Sequence, residues 1–197
     1  MAQISISLFR FHRAFRTQPS EQIGNIVRTS DAELANIISS LPQHLQPDEP
    51  RTDATEKRDV LNPWIPWQKW DLTQTFLYYR MKINCTVQLE WLLTPHLFEG
   101  QRSICLDAIR MMLWIRRNWD QPVARRRQWA LSTHIFSAGV TLTLEAKYRT
   151  TDIAQDWILD SKRCVELLQE VQSQNEVAKE GAAILQDLIK DVTAENV

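Results

Sequence analysis

Apolar residues recur every three or four positions along nearly the whole chain, a period that places them on helical faces and leaves no stretch of sustained alternation for a sheet. Ile4, Leu8, Phe11 and Phe15, with His12, line one face of a helix over residues 4–16. Ser30 stands three residues before Glu33 and ahead of Leu34, Ile37, Ile38 and Leu41, so a reciprocal hydroxyl–carboxylate cap is expected to open a second helix that Pro42 ends. From there to Pro66 the chain carries Pro47, Pro50 and Pro63 among charged residues with few apolar anchors, and a long surface loop is expected. Trp67, Trp70, Leu77, Met81, Cys85, Leu89 and Leu92 then mark a buried central helix ending before Pro95. Gly100 separates it from a helix through Ile104, Ala108, Met112, Ile115 and Trp119, and the two are expected to form a hairpin.

The remaining pattern gives a helix over residues 129–148, one over 153–171 opened by Thr151 or Asp152, and one over 176–192. Gly139 is unfavourable inside the first of these by about 1 kcal/mol relative to alanine, so it is expected to mark close helix packing. Ala178, Gly181, Ala182 and Leu185 offer a small-residue face on the last. The expected fold is therefore all-α: a single-domain bundle over residues 1–197 of about six to seven helices, with a long loop near residues 42–66.

Charge removes several function classes. With 23 Lys and Arg against 24 Asp and Glu, the formal charge of -1 supplies no field to draw in nucleic acid or an anionic membrane. Arg116-Arg117 and Arg125-Arg126-Arg127 bracket Trp119, and the basic–aromatic interleaving could meet an anionic partner, although arginines ending a helix also serve its dipole. Arg80, Lys82, Glu90 and Arg110 interrupt the longest apolar runs, so no membrane span is expected. Cys85, Cys105 and Cys164 are far apart and no two histidines have ligand spacing; neither a metal site nor a disulfide framework is expected. Residues 1–5 lack a signal-peptide layout, and an intracellular, cytoplasmic or nuclear, protein follows. None of the four glycines forms a phosphate loop or nucleophile elbow, and no cofactor is expected.

Eight tryptophans are several times ordinary usage. Trp67, Trp70, Trp91 and Trp114, with Met81, could line a cavity for an apolar ligand, or they could fill the core, since each aromatic buries a large area in either role. Asn84 and Gln88 lie four apart on the central helix, where they could hold a carbonyl or hydrogen-bond a neighbouring helix. His134 sits on an apolar face with Leu131 and Ala138, as an acid–base group near neutral pH or a satisfied core histidine. Tyr79 offers a phenol that could polarise a carbonyl, or packing alone.

Several landmarks occur in a recognisable order. Ile37 and Ile38 lead to Ser39-Ser40-Leu41-Pro42; a charged loop follows, then Thr75-Phe76-Leu77-Tyr78-Tyr79-Arg80. Cys105, Ala108 and Phe136-Ser137-Ala138-Gly139-Val140 come next, and Ala154, Cys164, Leu167 and Leu168 precede Ala178 to Leu188. From Asp31 to Ile189 this order resembles the late part of the middle homology region of fungal zinc-cluster transcription factors. Where that family often carries a Leu-His-Arg-Pro-like stretch, this chain reads Asn84-Cys85-Thr86-Val87-Gln88-Leu89, and no six-cysteine zinc cluster is present in the 197 residues. Specific DNA binding is therefore not expected.

The resemblance implies a regulatory-domain-like helical protein without its DNA-binding part. The expected function is binding of an apolar small molecule, with cofactor-free cyclisation, cycloaddition or isomerisation of a terpenoid or polyketide intermediate in secondary metabolism; such chemistry needs a shaped cavity and at most one donor. Tyr79, Asn84, Gln88 and His134 are the catalytic candidates, and Trp67, Trp70, Met81, Trp91 and Trp114 the substrate-binding ones. The alternative is a non-DNA-binding regulator acting through protein partners.

Overall fold

A computed structural model describes residues 2–119, 128–149 and 151–195. The described chain is all-α, with no strand. Seven long helices account for most of it: α1 (Ala2–Thr17), α2 (Ile23–Ser39), α4 (Trp64–Asn84), α6 (Glu99–Asn118), α7 (Trp129–Lys147), α8 (Thr151–Gln169) and α9 (Glu176–Glu195). Two are shorter, α3 (Asp53–Leu61) and α5 (Gln88–Leu93). The helices fall into two compact units: residues 1–88 with 98–119, and residues 89–97 with 120–197.

In the first unit α4 packs against α6 and α2, and α1 against α2. The buried stripe of α4 is Trp70, Gln74, Leu77, Met81 and Asn84, spaced four, three, four and three, which is one helical face. Ile109, Met112 and Ile115 of α6 and Val27 and Leu34 of α2 are buried with it. Pro66 lies in the first turn of α4, where a missing N–H breaks no helical bond, so the helix starts at Trp64 rather than after the proline. Its C-terminal part differs from expectation more sharply. The central helix stops at Asn84, passes through a 3₁₀ turn over Cys85–Val87, in which Thr86 Oγ1 donates to Ile83 O at 2.6 Å, and resumes as α5.

Three other local expectations change. The Ser30–Glu33 pair does not open α2, which begins at Ile23; Ser30 is buried mid-helix, because Val27, Ser30, Asp31 and Leu34 form the inward face. Gly100 does not break the chain before α6 but is its second residue, and the left-handed conformation falls on Phe98 instead (φ 58°). The loop expected over residues 42–66 contains a turn at Gln43–Leu45 and helix α3. α3 buries no side chain of its own. Thr52 and Thr55 cap it reciprocally, and Arg58 grips the Glu49 carboxylate through two bonds of 2.6 and 2.9 Å while Lys69 of α4 donates to the same carboxylate at 2.7 Å. Caps and an ion cluster hold it where apolar contacts are few.

In the second unit α7 packs against α8 and α9, and α8 against α9. Gly139 sits in close helix packing, as expected. A methyl built on it would stand 2.3 Å from Leu185 Cδ2 and 3.1 Å from Cys164 Cβ. Its carbonyl also receives the hydroxyls of Thr143 at 2.8 Å and Ser161 at 3.3 Å, which places those polar residues inside an otherwise apolar seam. The small face of α9, Ala178, Gly181 and Ala182, is buried with Leu185, Ile189 and Val192. Asn175 starts that helix by accepting from Ala178 N at 3.2 Å while donating to Ser132 Oγ at 2.9 Å.

Candidate functional site

The sequence-derived candidates divide between the two units. In the first, Trp70, Met81 and Asn84 share the buried stripe of α4, and Trp67 lies half-buried beside it. Tyr79 is about half a turn away around the helix, stacked at a tilt on Tyr78 with ring centroids 5.3 Å apart; burial, with Tyr78 adding, pushes its phenol above the ordinary range. A phenol held protonated can donate a hydrogen bond, but this one does not share a face with Asn84. Gln88 is buried at the start of α5. Trp114 points outward from α6 and is 53% exposed.

Asn84 is tied into a buried network. Arg80 clasps Asp31 of α2 through two bonds of 2.9 and 3.0 Å, and Asn84 Nδ2 donates to the same carboxylate at 3.0 Å and to Arg80 O at 2.9 Å. The guanidinium and the amide together give Asp31 the donors that a buried carboxylate requires. Three polar atoms on the α4 stripe nevertheless have no hydrogen-bond partner: Trp70 Nε1, Gln74 Oε1 and Asn84 Oδ1. Gln74 uses its amide nitrogen on Met112 O at 3.1 Å.

In the second unit Trp91 is wholly buried and its indole N–H donates to the Glu145 carboxylate of α7, which is also wholly buried. Arg149 Nε lies 3.8 Å from the same carboxylate. His134 is buried on α7 with Leu131 and Ala138. Of the basic residues read beside Trp119, Arg116 is buried rather than solvated, Arg117 is exposed, and Arg125 to Arg127 lie outside the described residues.

A cleft of about 550 Å³ opens in this unit between the first half of α8 and the end of α9. Ala154, Ile158 and Leu159 form its apolar wall, and Arg149, Gln155, Asp156, Lys162 and Thr193 supply its polar groups. Gln155, Ile158, Leu159 and Lys162 fall at helical spacing on one face of α8. None of the nine sequence-derived candidates lines this cleft. Gln155, Asp156 and Lys162 interrupt the apolar period on that face of α8, so it carries no pattern that marks a site. Arg149 carried the one usable signal, as a cation in the short link between two strongly patterned helices.

No group of three or more His, Cys, Asp or Glu side chains that could hold a metal ion is found among the described residues. No described helix is long and apolar enough to cross a membrane. No family model, curated protein or solved structure matches the chain.

Proposed function

We propose that this chain is a transcription-factor-like helical protein without DNA-binding capacity that binds an apolar small molecule in the α8–α9 cleft. By restraining the ligand it promotes a cofactor-free cyclisation, cycloaddition or isomerisation of a terpenoid or polyketide intermediate. The observation that carries the reading is the cleft: its volume falls within the roughly 300–1,000 Å³ of small-molecule sites, and it combines an apolar wall with polar and charged side chains. The order of landmarks from Asp31 to Ile189 supports the transcription-factor-like part. Conformer selection is the only catalytic device the reading requires, since bringing reacting atoms together supplies rate without nucleophile or metal.

Thermal-shift titration against terpenoid and polyketide intermediates, with mass spectrometry on each well, tests it. A ligand at about a hundred times its Kd stabilises by about 2.7 kcal/mol, which at this size raises Tm by about 5–11 °C. Leu159→Glu, at an exposed position of the cleft wall, should abolish that shift and leave the unliganded Tm nearly unchanged. Saturable shifts that ignore Leu159→Glu would place the ligand elsewhere and overturn the reading.

A regulatory role through a protein partner is favoured by a different observation. α5 turns Trp91 and Leu92 inward but leaves Leu89 and Leu93 61% and 64% exposed on its other face. Leu89→Gln with Leu93→Gln should abolish a regulatory effect in a reporter assay and leave ligand titrations unchanged if that reading holds. Intact regulation by the double variant would remove it.

A further inference from the structure

The α8–α9 cleft has a polarity that narrows its ligand. Its apolar wall, Ala154, Ile158 and Leu159, lies between two cationic side chains, Arg149 ahead of α8 and Lys162 about three turns into it. Along the axis Ala154 and Lys162 are about 12 Å apart, and a helical side chain leans back toward the N-terminus, so the Lys162 ammonium can reach over the wall toward Arg149. Lys162 makes no ion pair with any described residue. Arg149 pairs with the buried Glu145 carboxylate through Nε at 3.8 Å, a contact longer than a hydrogen bond, while the other oxygen of that carboxylate accepts the Trp91 indole. The one carboxylate on the lining, Asp156, sits about a third of a turn around the helix from Lys162 and is exposed.

We propose that the cleft takes an amphipathic carboxylate, its apolar body against Ile158 and Leu159 and its carboxylate between Arg149 and Lys162. This inference rests on the cleft being the ligand site and specifies the chemistry of the occupant. An apolar acid of this kind matches both the wall and the cations, whereas a neutral hydrocarbon leaves the Lys162 ammonium without a counter-charge, and a cation meets repulsion from both side chains.

Isothermal titration of the full chain with dodecanoate and with dodecanol, each below its aggregation limit, separates the two readings. Dodecanoate should bind about tenfold more tightly than dodecanol at low salt, and the gap should shrink as salt is raised. Lys162→Gln, at an exposed position, should weaken dodecanoate by about three- to tenfold and leave dodecanol unchanged. Arg149→Gln should do the same, but it also removes the cation beside buried Glu145, so Lys162→Gln is the decisive variant. Equal binding of acid and alcohol, both lost in Leu159→Glu, would overturn the carboxylate inference and leave the cleft reading standing. No binding of either, or binding indifferent to Leu159→Glu, would overturn both.

Discussion

Replacing Gly139 by alanine sets two effects of opposite sign against each other at one atom. In the middle of α7 the exchange should gain about 1 kcal/mol in helix propensity. The new methyl, however, would lie 2.3 and 3.2 Å from the two terminal carbons of Leu185 and 3.1 Å from Cys164 Cβ, where carbon atoms prefer about 3.5–4.0 Å. Leu185 can rotate, but it is wholly buried, and Cys164 Cβ moves only with α8. Separating the helices also stretches the Ser161 hydroxyl away from Gly139 O, already at 3.3 Å. Overpacking of this kind costs about 1–3 kcal/mol and a weakened hydrogen bond about 0.5–1 kcal/mol. The net expectation is a loss of about 1–2 kcal/mol, or about 3–6 °C in Tm. Gly181→Ala is the control. Its methyl would meet only the half-buried Phe136 ring at 3.3 Å, so stability should be unchanged or up to about 1 kcal/mol higher. Gly100→Ala, with nothing within 4 Å, should also be neutral or stabilising. Urea denaturation followed by circular dichroism gives the ranking. Gly139→Ala equal to or more stable than the parent would refute a glycine-limited contact between α7 and α8.

Trp91→Phe should cost about 2–3 kcal/mol by withdrawing the indole donor from buried Glu145, and a double-mutant cycle with Glu145→Gln should show a coupling of at least about 1 kcal/mol; additivity would deny the bond a role. Glu49 is held down to about 2, chiefly by the Arg58 hydrogen bond and then by Lys69, against the opposing effect of burial. A depressed carboxylate stabilises the fold fully above its unfolded pKa near 4.5 and loses that contribution as pH falls toward 2, so Glu49→Gln should lower Tm at pH 7 and match the parent near pH 2; parallel curves across that window would exclude the cluster as a stabilising element. Gln74→Leu should be tolerated within about 1 kcal/mol, because one hydrogen bond to Met112 O is lost while the unpartnered Oε1 is removed; a loss above about 3 kcal/mol in urea denaturation would mean that Oε1 is satisfied.

Helical period reports which positions of a helix face inward, and that is why the long helices, the α4–α6 pairing and the close contact at Gly139 were legible in the sequence. It reports nothing about structure held by other means. α3 escaped because its anchors are the Thr52–Thr55 cap and the Glu49–Arg58–Lys69 cluster, which in sequence look like an ordinary solvated charged segment. Ser30 and Glu33 misled for the converse reason: a capping-box spacing also arises inside a helix, and only the inward turn of Val27 and Leu34 decides between the two. Period also identifies burial without identifying partners. Asn84 was expected to need one, yet Asp31 and Arg80, which supply its setting, lie 53 and four residues away, and neither interrupts a pattern in a way that points to the other. The break at Cys85–Val87 is instructive in a further respect. It contains neither proline nor glycine to announce it. Beyond the break Trp91 lies in a separate short helix, where it bonds Glu145, and Glu145 in turn stands beside Arg149, which lines the cleft. A link therefore runs through Trp91, Glu145 and Arg149, and a substitution at Trp91 should alter carboxylate binding through the position of Arg149 while touching no cleft-lining atom.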